Sequence, residues 1–152
     1  MPRQFIAKRL EPSSADSAYA LARLSASGLG LDAWRRFVAS SAGTPGVEGG
    51  VLAIQNRSGV IQGLCSYRFE ESLGRGKVCT ADNLIALDLL DNACVAAALL
   101  QALEDLARRG GASALRLELA GGFPAADRLI ARLRERGHRQ ETIGLVKDLG
   151  AG

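Results

Sequence analysis

The sequence predicts one α/β domain, a mixed β-sheet with helices on both of its faces. Three observations carry this reading. The run VLAIQNRSGVIQGLCSYRFE sets two apolar, β-branched stretches on either side of NRSG, the pattern of a β-hairpin. Periods of two and of 3.6 alternate along the chain, so strands and helices are interleaved. Across 84–119 an apolar strand, an amphipathic helix and a second strand follow one another, which is a parallel crossover. At 152 residues the chain fits a single domain, 1–152, able to bury roughly two thirds of its unfolded surface.

The elements follow in order. QFIAKRL, 4–10, alternates as a first strand. EPSSADSAYALARLSAS switches to helical spacing, with Ser13 and Asp16 resembling a capping box and Ala18, Leu21, Ala22 and Leu24 as its apolar face. Gly28 and Gly30 stop it. LDAWRRFVASSA is a second helix with Asp32 as N-cap and Trp34, Phe37 and Val38 facing inward. The hairpin comes next, then the glycine-bearing turn ESLGRGK and an increasingly apolar central strand, 78–90. ACVAAALLQALEDLARRGG is the strongest helix, with Val95, Ala98, Leu99, Ala102, Leu103 and Leu106 in one stripe and Gly110 and Gly111 at its end. ALRLEL is a strand, AADRLIARLRERG an amphipathic helix, and RQETIGLVKDL, 139–149, a returning strand or bent pair.

Composition excludes several classes of function. No apolar run approaches the ~20 residues that span a bilayer, so no membrane partner is expected. The N-terminus lacks a secretory apolar segment, which makes the cytoplasm the expected location. A net charge of +3, with few aromatic residues, gives no nucleic-acid signal. The three cysteines, Cys65, Cys79 and Cys94, form no C-x-x-C pair, and His138 is the sole histidine, so no metal site is expected. All three thiols are expected reduced, with at least two, and Cys94 among them, packed in the core.

The element order, with R-x-x-x-x-x-D approximated from Arg9 to Asp16, SGVIQG, LLQALEDLARRGGASALRLEL and RLRERGHR, resembles the GNAT superfamily of acyl-CoA-dependent N-acetyltransferases over nearly the whole chain. The resemblance implies a GNAT-like sheet whose central strands splay apart, with acetyl-CoA or a related acyl-CoA in the gap. It places the cofactor on the strand at Leu87 and Leu89 and on the backbone of Asn92, Ala93, Cys94, Val95, Ala96 and Ala97. The pyrophosphate would then sit at a helix N-terminus, where N–H groups and about half a positive charge favour an anion. It also implies a carboxylate base, for which Asp82 and then Asp88 are the candidates. A small-molecule or peptide amine would be the acceptor, and a homodimer is in keeping with the resemblance.

The chain departs from the family pattern at identifiable positions. Of the phosphate loop Gln/Arg-x-x-Gly-x-Gly/Ala, laid on 91–96, only Ala96 matches. Cys94 stands where glycine would let the backbone approach phosphate. Asp91 brings a charge of the wrong sign, which at ~5 Å and an effective dielectric near ~20 repels a phosphate charge by roughly 3 kcal/mol. Asp91 and Asn92 serve equally well as an N-cap, worth ~1 kcal/mol. Leu133 stands where many members carry a tyrosine, and His138 occupies an aromatic slot that a helix-end role also explains. Arg128, Arg132 and Arg136 form a stripe that suits either solvent or an anion. Two functions remain open. One is an N-acyltransferase working by direct attack; the other is a non-catalytic binding or oligomerisation module that has lost CoA.

Overall fold

The computed structural model describes residues 5–24, 26–43, 48–86, 94–119 and 126–150. They group into two compact units, Met1–Gly121 and Gly122–Gly152. The first unit holds the sheet. Strands β1 (Phe5–Arg9), β2 (Gly49–Asn56), β3 (Ile61–Ser72), β4 (Gly76–Ala86) and β5 (Ala114–Leu117) lie side by side in chain order. Neighbours pair antiparallel from β1 to β4. Helix α3 (Cys94–Arg109) then carries the chain over the sheet, so β5 runs parallel to β4. This is the mixed sheet that the hairpin and crossover predict.

Two-residue alternation decides what each face buries. Leu52, Ile54, Cys65, Tyr67, Cys79 and Ala81 join Val95, Ala96, Leu99, Leu103 and Ala107 of α3 in one core. Val51, Ala53, Leu64 and Ile85 join Leu21 and Ala22 of α1 (Tyr19–Ala22) and Trp34 and Val38 of α2 (Leu31–Gly43) in the other. Helices therefore cover both faces. Each fully buried Leu, Ile or Val contributes roughly 1.5–3 kcal/mol relative to exposure.

Helix α3 ends in a Schellman motif. Ala112 N–H donates to the Ala107 carbonyl at 2.9 Å and Gly111 N–H to Arg108 at 3.1 Å, with Gly111 at φ +78. The hairpin turn is closed by Asn56, whose Oδ1 accepts from Ser58 and Val60 N–H at 2.9 and 3.0 Å, ahead of Gly59 at φ +84. Both ends follow the residues that predict them.

The second unit contains α4 (Ala126–Glu135), whose Leu129 and Leu133 are buried. It closes like α3: His138 N–H donates to Leu133 O at 2.9 Å, and Gly137 N–H to Arg134 O at 3.0 Å, with Gly137 at φ +97. His138 is thus held at a helix end, with Nδ1 also 3.2 Å from Leu133 O.

Several local expectations are corrected. Residues 139–149 form no strand, and Ile143, Leu145, Val146 and Leu149 are 81–92% exposed. The first helix is a 3-10 segment, Pro12–Ala18, followed by the short α1. No side chain caps its start; Asp16 instead accepts two hydrogen bonds from Arg35 of α2, at 2.8 and 2.6 Å. Asp32 lies within the first turn of α2, and Gly30 supplies the first carbonyl, to Trp34 N–H at 3.0 Å. Trp34 and Val38 are buried, whereas Phe37 is 37% exposed and stacks on Trp34 with ring centroids 6.0 Å apart. Cys65 and Cys79 are core residues, but Cys94 is exposed because it begins α3 on the side away from the sheet.

Candidate active site

The sheet's regularity breaks once in β4. Ser66 pairs with Asp82 and Leu64 with Ile85, so Asn83 and Leu84 together stand opposite Cys65. This is a β-bulge, and Asn83 takes φ 53, a left-handed conformation that asparagine tolerates better than most residues. The bulge resets the side-chain phase: Asp82 lies on the face of α2, while Leu84 packs in the core under α3.

Just before the bulge, β4 loses β5. Their ladder covers Val78–Ala114 to Ala81–Leu117, and one further bond links Glu118 N–H to Ala81 O at 2.9 Å. From Asp82 to Ala86, β4 pairs with β3 alone among the described residues. Past β5 the chain is described only to Leu119, so the ladder ends close to the edge of the described residues. Opposite Ala86, Gly63 lets β3 approach α3. A methyl group at that position would meet Val95 Cγ1 at 2.7 Å. Glycine there seats the first turn of α3 against the sheet.

Asp82 is held from three directions. The Ser66 hydroxyl donates to its carboxylate, Asn83 Nδ2 donates to Oδ1 at 3.2 Å, and Arg68 NH1 is 3.8 Å from Oδ2. Asn83 Nδ2 also donates to Ser66 Oγ at 3.0 Å. The aspartate is one-third exposed, so it is both oriented and reachable.

Around it the same sheet face carries a charged network that the sequence reading missed. Arg68 also contacts Glu70 and Glu118, each at 3.3 Å, and Arg116 lies 3.9 Å from Glu70. Thr80, fully buried, donates to Glu70 Oε1 at 2.7 Å. That hydroxyl holds the Glu70 carboxyl below its usual range, against an opposing push from burial, with Arg68 and Arg116 adding to the lowering. These residues lie on three strands, and only the register Arg68–Thr80–Arg116 brings them together. Alternation of polar residues along β3 (Ser66, Arg68, Glu70) was the available signal. The network holds three acids and two arginines, which leaves its face one charge negative.

The other predicted positions divide. Val95 and Ala96 are buried in α3, and Cys94 and Ala97 are exposed on its first turn, which contains no acid. Leu87, Asp88, Leu89, Asp91, Asn92 and Ala93 lie outside the described residues. Arg128, Arg132 and Arg136 are all exposed on the second unit. Among the described residues, no group of three or more His, Cys, Asp or Glu side chains could hold a metal ion. Nor is any helix long and apolar enough to cross a membrane. A cavity of about 420 Å³ lies on the opposite face of the sheet, near the end of α3, between Arg9, Tyr67, Phe69 and Gly110. The sheet separates it from Asp82, and nothing in the chemistry above involves it.

No protein-family model and no curated protein matches the sequence. Solved structures do match. Glucosamine-6-phosphate N-acetyltransferase from Arabidopsis thaliana aligns at 15% identity over 97% of this chain and 100% of its own, with a TM-score of 0.73. Aminoglycoside N-acetyltransferase AAC(6')-Iy, in complex with CoA, aligns at 13% identity over 99% of both chains, with a TM-score of 0.76. Ribosomal-protein-alanine N-acetyltransferase from Brucella melitensis biovar Abortus 2308 aligns at 16% identity over 96% of this chain and 100% of its own, with a TM-score of 0.70. The chain has the GNAT fold, as the resemblance implies.

Proposed function

We propose that this chain transfers an acyl group from acetyl-CoA, or a related thioester, to an amine by direct attack. The observation that carries the reading is the end of the β4–β5 ladder beside Asp82, which gives a thioester an edge of β4 to lie along. The named activities of the structural neighbours support it. They act on an amino sugar phosphate, an aminoglycoside and a protein alanine, and one of them is bound to CoA.

In this reading the amine lone pair attacks the thioester carbonyl, the carbon–sulfur bond breaks, and the thiolate leaves and takes up a proton. Asp82 accepts the amine's proton, directly or through water. A carboxylate in hydrogen-bond reach contributes ~10²–10⁴-fold in such a step. Ser66 and Asn83 orient it, and the net negative face around Arg68 suits an acceptor that arrives as an ammonium ion. Residues Asn92 to Ala97 would hold the pyrophosphate, with Leu87 and Leu89 along the pantetheine. Asp88 is the second candidate base. A cytoplasmic setting belongs to the same proposal.

Calorimetry with acetyl-CoA tests the reading. Binding is expected, and Asp91→Arg is expected to tighten it, since removing a like-charge repulsion of roughly 3 kcal/mol is by itself worth about a hundredfold where solvent does not relieve it. Absence of heat and of a thermal shift at millimolar acetyl-CoA would leave the binding-module reading in its place.

A further inference from the structure

We propose that the cavity at the end of α3 binds a small organic carboxylate with an apolar body, held by Arg9, Arg109 and the Tyr67 hydroxyl. Its volume of about 420 Å³ falls within the roughly 300–1,000 Å³ typical of small-molecule sites. The walls come from β1, the start of β2, β3 and the end of α3, all within the first unit. The sheet separates this cavity from Asp82, so the proposal stands or falls without the catalytic reading.

The first observation is a buried donor with no acceptor. Tyr67 is only 9% exposed, yet its hydroxyl has no hydrogen-bond partner among the described residues. A buried tyrosine hydroxyl ordinarily finds one. The ring is held by an edge contact with Phe69, centroids 6.4 Å apart. Burial pushes the hydroxyl above its ordinary pKa, against a downward pull from Arg9, so at neutral pH it keeps its proton and can donate. A carboxylate in the cavity would supply the acceptor.

The second observation is the charge gathered beside that donor. A methyl group on Gly50 would meet Arg9 Nε at 2.7 Å and the Tyr67 hydroxyl at 3.2 Å, so glycine there makes room for both groups to converge. Arg9 Nη2 donates to Gly49 O at 2.6 Å, which fixes the guanidinium at the cavity. A guanidinium carries several N–H donors, and this bond does not exhaust them. Arg109 lines the same cavity from α3 and makes no ion pair among the described residues. The acid of the lining, Glu48, is paired with Lys77 Nζ at 3.5 Å, which leaves the arginines to an incoming anion. Both arginines are exposed, so a ligand reaches them from solvent.

The remaining walls select among anions. Phe69 and Leu106 are apolar, and the Tyr67 ring joins them. Inorganic phosphate has nothing to place against these side chains. A carboxylate carried on an aryl or branched alkyl group fills both halves of the site, and planar guanidinium groups match its two oxygens.

Titration of the full chain with 3-phenylpropionate, followed by amide resonances in nuclear magnetic resonance, tests the proposal. Millimolar binding is expected, with shifts concentrated at Glu48, Gly49, Tyr67, Phe69 and Gly110. Tyr67→Phe, which removes one oxygen, is expected to weaken binding by at least ~10-fold, the loss of a hydrogen bond to a charged group. Arg109→Gln, an exposed change that leaves the fold intact by circular dichroism, is expected to weaken it several-fold. The neutral 3-phenylpropionamide and inorganic phosphate are each expected to bind more weakly than the acid. No shift at these amides, equal binding of the amide or of phosphate, or an affinity unchanged in either variant would each overturn the proposal.

Discussion

Gly110, at the end of α3, lies against the ring of Phe69 on β3 so closely that a methyl group on the glycine would sit 2.4 Å from the ring. Its neighbour Gly111 has open space but a φ of +78. The two glycines are thus required for different reasons, one for contact and one for conformation. Gly110→Ala is expected to cost ~1–3 kcal/mol through overpacking, and Gly111→Ala ~1–2 kcal/mol through backbone strain. Adding Phe69→Leu should relieve the first and leave the second unchanged. Urea unfolding of the double-mutant cycles separates them; equal relief of both would refute the distinction.

Asp82→Asn keeps the shape of the side chain and removes its ability to take a proton. If Asp82 is the base, kcat/KM falls by ~10²–10⁴-fold with little change in melting temperature. A loss below ~10-fold would assign the proton to another group or to water.

Thr80→Val deletes the hydroxyl that donates to Glu70 while nearly preserving volume. Because Glu70 titrates below its usual range in the folded chain, its contribution to stability is present above the unfolded carboxylate pKa of roughly 4.3 and is lost as pH falls through the lower folded value. The variant should therefore be less stable by about 1 kcal/mol or less at neutral pH, the exposure of the ion pairs limiting the effect. The difference should vanish near pH ~2. NMR titration should show the Glu70 pKa moving upward; an unmoved value would count against the hydroxyl as the leading cause.

The three thiols should separate by reactivity. Burial is the main cause that pushes the Cys65 thiol far up, and it pushes Cys79 up to about 11, whereas Cys94 is exposed. A thiol-specific reagent at pH ~7.5 should modify Cys94 alone in the folded chain, and all three thiols in denaturant. If acyl-CoA lies at the start of α3, saturating acetyl-CoA should slow the Cys94 reaction several-fold. An unchanged rate would move the ligand elsewhere.

The elements that carry their own signal were legible in the sequence. The hairpin declared itself through Asn56 and Gly59, and α3 through a 3.6-residue stripe ending at Gly111. Both are local, and local residues enforce them. The segment 139–149 alternates like a strand, yet alternation alone supplies no hydrogen-bonding partner, and these residues form no strand. The first helix read as continuous, because Ala18, Leu21 and Ala22 are buried whether the turns are 3-10 or α. In the site, Asp82 could be singled out by its position in an apolar strand. Arg68, Glu70, Arg116 and Glu118 could not, because what unites them is register between three strands. Asn83, which tolerates a left-handed backbone better than most residues, was the available hint of the bulge.

The bulge at Asn83 and Leu84 has a consequence for how this chain can vary in length. Removing Asn83 would leave Leu84 alone opposite Cys65 and restore regular alternation, with Ile85 still in the core of Trp34 and Val38 and with Leu84 and Ala86 still in that of Leu99. A homologue one residue shorter at this point should consequently keep similar residue sizes at all three positions and show a straighter β4. A deletion elsewhere in the strand would instead turn every following side chain to the other face. Strand length here acts as a frame, and the bulge is a place where a residue can be dropped without shifting it.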